Sequence, residues 1–235
     1  MELTVDPRFR GPRESGNGGY TCGLVAAFVG EPAEVTLRLP PPLGRALRVE
    51  RRDGRVEVYD GDALVAEGRH ADVELEAPAP VGFADARDAA ARYPGFEEHA
   101  FPTCFVCGPE REPGDGLRIF ASPVAGRDVV AAPWIPAADV ADDDGRVRHE
   151  VVWAALDCPG AFAVGFSGRG EIVLGRLASR IDRAPMAGER CVVVGWPLGE
   201  KGRKLYAGTA LFSDRGELYA VARATWIEPR ARPNP

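Results

Sequence analysis

One plan written twice constrains this chain more than any single motif does. Gly16-Asn17-Gly18-Gly19 precedes an apolar segment from Tyr20 to Val29, with Tyr20, Leu24 and Phe28 at helical spacing. Strand-like alternation follows over 34–39, 46–52, 55–60 and 64–75. Further on, Gly145-Arg146-Val147 precedes an apolar segment from His149 to Leu156 that Pro159-Gly160 is expected to end. Strand-like runs then follow again, over 171–179, 190–196, 204–212 and 217–227. The last hairpins align without a gap: Asp60, Leu64, Ala66 and Arg69 match Asp214, Leu218, Ala220 and Arg223. Both turns are built from Asp and Gly, residues that tolerate positive φ. An apolar helix followed by an antiparallel meander, twice, predicts an α+β chain of two fused units, each a central helix wrapped by an antiparallel sheet.

The join falls between residues 77 and 98. Ala77-Pro78-Ala79-Pro80 breaks the strand pattern, a helical run extends from Phe83 to Tyr93, and Pro94-Gly95 stops it. The expected division is an N-terminal unit over 1–80, a linker with a short helix over 81–98, and a C-terminal unit over 99–235. A chain of 235 residues can bury a core without covalent staples. Its five cysteines, an odd number behind an N-terminus without basic and apolar blocks, predict reduced thiols in the cytoplasm. Lys and Arg number 29 against 35 Asp and Glu, a net charge of -6 that argues against a nucleic-acid partner. No apolar run is long enough to predict a membrane span.

The C-terminal half carries a family resemblance. Phe101-Pro102-Thr103-Cys104-Phe105-Val106-Cys107-Gly108-Pro109, then Gly116-Leu117-Arg118-Ile119-Phe120, resembles the opening of small hotdog-fold thioesterases. Val147 to Asp157, ending Trp153-Ala154-Ala155-Leu156-Asp157, resembles their central helix with its Ala-Leu-x-Asp finish, and Arg183-Ala184-Pro185 resembles the turn into their long strands. The set spans roughly residues 101 to 227. In the first half only Asn17-Gly18-Gly19 corresponds, where the family often has His-Gly-Gly. Two features depart: Glu110-Arg111-Glu112-Pro113 replaces an Asn-Pro, and Arg148-His149-Glu150 replaces a second His-Gly-Gly. The resemblance implies a double hotdog and an acyl-CoA thioesterase-like hydrolase that needs no metal or cofactor. Its substrate would be acyl-CoA or another acyl thioester, and it leaves a homodimer open.

Thioester hydrolysis needs a carboxylate, to activate water or attack the carbonyl, and amides to stabilise the oxyanion. Asp157 is the expected acid because the resemblance places one there, and a carboxylate at a helix C-terminus, opposing the macrodipole, is consistent with that. The alternative is a helix-terminal residue bonding the loop at Cys158-Pro159. Glu150 is the second acid, or else a first-turn dipole partner. On a helical period Glu150, Trp153 or Ala154, and Asp157 share one face. Asn17, Gly18 and Gly19 read equally as a plain helix cap and as an oxyanion hole at a helix N-terminus. Arg176, Arg180 and Arg183, together with Lys201, Arg203 and Lys204, are candidates for the coenzyme A phosphates, with a solvated face as the alternative, and Trp153 is a candidate substrate-binding residue. Asp144 and His149 have the spacing of hotdog hydratases, but acidic neighbours at Asp142 and Asp143 suggest an exposed loop. Cys104-x-x-Cys107, with only His99 nearby in sequence, falls short of the four ligands of a closed zinc site, which His149 or Cys158 could complete only by tertiary contact. No binding alternative is excluded: a non-catalytic acyl or small-ligand protein on the same fold fits the same residues.

Overall fold

The computed structural model describes residues 1–169 and 171–229. The N-terminal unit contains β1 (Glu2–Thr4), α1 (Gly18–Val29), β2 (Ala33–Leu37), β3 (Ala46–Arg52), β4 (Arg55–Asp60) and β5 (Ala63–His70). A connecting segment carries α2 (Phe83–Ala90). Then come β6 (Ser122–Pro123), β7 (Val130–Trp134), α3 (His149–Ala155), α4 (Cys158–Ala163) and α5 (Phe166–Arg169). Strands β8 (Val173–Ile181), β9 (Cys191–Lys201), β10 (Lys204–Ser213) and β11 (Leu218–Ile227) complete the chain.

The described strands form one antiparallel sheet in the order β1-β3-β4-β5-β2-β8-β11-β10-β9-β7-β6. Read outward from its middle, β2-β5-β4-β3-β1 mirrors β8-β11-β10-β9-β7. This is the duplicated meander that the sequence pattern implies. The halves join where β2 pairs with β8, Ala33 to Thr36 lying opposite Ser179 to Arg176. The first strand after each long helix therefore makes the junction, and α1 and α3 are brought side by side beneath one continuous sheet.

The two halves of the sheet differ in cover. Along β3 exposed and buried residues alternate, as expected for a strand with one wet face. Residues Cys191 to Trp196 of β9 are all buried. The cause is the connecting segment: Val73, Val81 and Ala86 pack against Val192, Val194 and Phe212 on the outer face of the second half. Both faces there are covered, so a continuous apolar run replaces alternation.

One expectation about the helices fails. Pro159-Gly160 does not end the second apolar helix. That helix already stops at Ala155, and Pro159 lies in the first turn of α4, where its missing N–H has no partner to lose.

Candidate active site at the helix pair

Helices α1 and α3 run in opposite directions in very close contact, because α1 presents glycines to α3. A Cβ on Gly19 would come within 2.5 Å of Asp157 Cβ and 2.7 Å of the Trp153 carbonyl oxygen. A Cβ on Gly23 would come within 2.5 Å of Glu150 Cα. Nothing larger than glycine fits at either position without moving a helix. The N-terminus of α1 thus meets the residues just past α3, and the N-terminus of α3 meets those just past α1.

At the first of these ends stands Asp157, buried at 2% exposure. Its Oδ2 accepts from Asn17 Nδ2 at 2.9 Å and from the Gly19 N–H at 2.9 Å. Asn17 also caps α1, its Oδ1 accepting from the Tyr20 N–H at 2.8 Å. Asn17, Gly19 and Asp157 are therefore brought together, and the acid bonds the opposite unit rather than the loop at Cys158-Pro159. The Gly19 amide holds the carboxylate and is not open to an oxyanion while that bond lasts. Asp157 Oδ1 is buried with no partner among the described residues. Burial pushes the Asp157 carboxyl up to about 7, against the pull of the Gly19 N–H and Asn17 in the other direction.

Three cysteines adjoin this acid. Cys104 Sγ lies 3.8 Å from Asn17 Nδ2 and 3.8 Å from Cys158 Sγ. The sulfurs of Cys104, Cys107 and Cys158 all fall within 4.8 Å of one another. Thiols of Cys107 and Cys158 directed at Cys104 hold its thiol well below the ordinary range. Cys158 is pushed up by its bond to Cys104, and Cys107 by burial. Tertiary contact brings Cys158 against Cys104 and Cys107, and His149 stays at the other end of the helix pair. His99 does not serve as their neighbour: its Nδ1 accepts from the Phe101 N–H at 2.9 Å and its Nε2 lies 3.0 Å from the Tyr93 hydroxyl. The Tyr93 hydroxyl in turn donates to the Cys107 carbonyl at 3.0 Å.

At the other end of the helix pair, Glu31 plays the part of Asp157. Its Oε1 accepts from Trp153 Nε1 at 2.7 Å and lies 2.7 Å from His149 Nε2. Trp153 is fully buried and presents no surface to a ligand. His149 pairs with Glu31 and not with Asp144, which sits in an exposed turn closed by Asp142 Oδ1. Glu150 is also at this end, 3.3 Å from Arg148 Nε, so it does not join Asp157. Glu150 and Asp157 both face α1, against Gly23 and Gly19 respectively, but at opposite ends of the contact.

The three arginines lie on or just past β8 and have partners. Arg176 donates to Thr36 Oγ1 at 2.9 Å and lies 3.5 Å from Glu34 across the junction. Arg180 pairs with Asp182, and Arg183 with Glu217 while covering the Tyr219 ring. A groove of about 440 Å3 lies elsewhere, with Leu117, Trp134 and Val140 in its wall and Arg8, Arg87 and Arg118 at hand. Asp157 is not among its lining residues. Sequence reasoning missed Glu31, whose only signal was its place directly after the helix-ending Gly30.

Solved structures share this architecture over nearly the whole chain. The tesB protein of Mycobacterium avium subsp. paratuberculosis superposes with a TM-score of 0.61 at 12% identity, covering 97% of this chain and 92% of that one. The acyl-CoA thioesterase II TesB2 of Mycobacterium marinum gives 0.58 at 15% identity, covering 97% and 93%. A candidate thioesterase of Novosphingobium aromaticivorans gives 0.60 at 16%, covering 97% and 94%. The chain has the double-hotdog fold. No protein-family model and no curated protein matches it in sequence. Among the described residues no helix is long and apolar enough to cross a membrane.

Proposed function

We propose that this double hotdog hydrolyses acyl thioesters, acyl-CoA being the substrate class, with Asp157 as general base or nucleophile. One observation carries the reading. Asp157 is 2% exposed and held by Asn17 and Gly19 at the N-terminus of the opposite helix, and its Oδ1, like Glu31 Oε2, is buried without a partner among the described residues. A buried acceptor without a partner is costly and is retained where something else uses it. In this reading Oδ1 meets the attacking water or the thioester carbonyl carbon, Asn17 and the Gly19 N–H fix the carboxylate, and the Gly18 N–H faces the oxyanion. Arg176, Arg180 and Arg183 are already paired and are poor candidates for the coenzyme A phosphates. The groove beside Arg8, Arg87 and Arg118 is no better supplied with free cations, since Arg8 pairs with Asp115 and Asp139, Arg87 with Asp88, and Arg118 donates to the Arg111 carbonyl.

A second reading, a non-catalytic acyl or small-ligand protein on the same fold, is favoured by the burial of Asp157. Substrate reaches it only if the side chains that close over it move. Incubation of the protein with acyl-CoAs of several chain lengths and a thiol reagent separates the two. Continuous release of free coenzyme A with at least one of them is expected. Saturable binding without release establishes the binder and removes the enzyme.

A further inference from the structure

Cys104, Cys107 and Cys158 form a cluster that thioester hydrolysis leaves unused. Cys104 and Cys107 belong to the turns before β6, while Cys158 opens α4, so the fold gathers them from separate segments. Each is at most 6% exposed. Cys22 in α1 and Cys191 in β9 are buried too but lie outside the cluster. Packing alone asks for small apolar groups at such places, not for three polarizable sulfurs converging on one point.

The spacing has a chemical meaning. Zn–S bonds of about 2.3 Å at tetrahedral angles place two thiolates about 3.8 Å apart. The Cys104 and Cys158 sulfurs are 3.8 Å apart. We propose that Cys104, Cys107 and Cys158 bind one zinc ion as thiolates, with a water molecule in the fourth position. Binding displaces the thiol protons that remain, and they leave to solvent. A divalent ion leaves one net negative charge among three thiolates where monovalent copper leaves two, and buried net charge is costly. His99 is not a ligand, since both its ring nitrogens are engaged. The site stands whether or not the chain hydrolyses thioesters.

The test is a titration of the full chain, reduced and stripped of metal, with cobalt(II) and then zinc(II) under anaerobic conditions. One equivalent of cobalt is expected to produce an intense sulfur-to-cobalt charge-transfer band, which zinc then abolishes while raising the melting temperature. Cys158→Ser is expected to weaken zinc binding at least about tenfold, the lower bound for losing even an outer partner of a metal ligand. Cys191→Ser is expected to bind as the wild type does. The proposal is overturned if wild-type protein shows no charge-transfer band and takes up no zinc. It is also overturned if a folded Cys158→Ser protein binds as tightly as wild type. Should that variant not fold, the wild-type titration decides by itself, and thioester turnover plays no part in either readout.

Discussion

The two ends of the α1–α3 helix pair make the same contact in different surroundings. At one end Asp157 reaches from beyond α3 to the N-terminus of α1; at the other Glu31 reaches from beyond α1 to the first residue of α3. Both are carboxylates held by a neighbouring unit, as a duplicated fold with an internal two-fold arrangement would place them. Asp157 is 2% exposed and sits against three buried sulfurs. The Glu31 side chain is 23% exposed and its histidine partner 31%. Each carboxylate keeps one buried oxygen without a partner among the described residues, Oδ1 of Asp157 and Oε2 of Glu31, so the ends differ in the exposure of the whole side chain and in the sulfurs beside Asp157. On the proposed reading the more buried end is the chemical one and the more exposed end a structural clasp.

Variants should separate the two ends, and the largest effect is expected at the helix contact itself. Gly19→Ala would drive a methyl group into Asp157 and the Trp153 carbonyl, and overpacking of this kind costs about 1–3 kcal/mol or more. A lower melting temperature together with loss of any thioester turnover is expected. An unchanged melting temperature would show that the helices are not in the contact described. Next is the more exposed end. Glu31→Gln keeps an acceptor for Trp153 and His149 and should cost only about 0.5–1.5 kcal/mol, the range of one hydrogen bond. Turnover should stay close to wild type, and a loss as large as that of an Asp157 variant would erase the distinction between the ends. The smallest effect is expected at the junction. Arg176→Ala leaves Glu34 paired with Arg69 at 2.8 Å, so chemical denaturation should show a change of about 1 kcal/mol or less. A larger loss would mean that β2 and β8 depend on that charge.

Much of this architecture can be read from the chain. Strands β3 and β4 fall where alternation places them, because one face is wet and the period survives. The β4–β5 and β10–β11 hairpins likewise carry the Asp and Gly turns that mark them. The end of α3 was not legible, since Pro159 stops a helix or starts one with equal ease and only the path of the chain decides. The site was legible in part. Asp157 stood out at the end of the apolar run, although α3 stops at Ala155 and Asp157 stands just before α4, and Asn17-Gly18-Gly19 stood out as a cap. Their mutual bond spans 140 residues of sequence, and no local pattern encodes it. Cys158 joins Cys104 and Cys107 for the same tertiary reason. Trp153 looked available on a helical wheel and proved buried, because Gly23 lets α1 close over that face.

The central claim is that Asp157 acts chemically and does not merely clasp two helices. Asp157→Asn tests it most directly, because Asn retains an oxygen for Asn17 and the Gly19 N–H while losing the carboxylate. Turnover of an acyl-CoA and melting temperature would be measured on the same samples of wild type and variant. The expected result is a loss of turnover of at least roughly a hundredfold, the lower end of what a positioned general base contributes. Stability is expected to move by only about 1 kcal/mol, as for typical substitutions. A folded Asp157→Asn protein that turns over at the wild-type rate would contradict the claim and leave Asp157 as a structural partner of Glu31 at the opposite end.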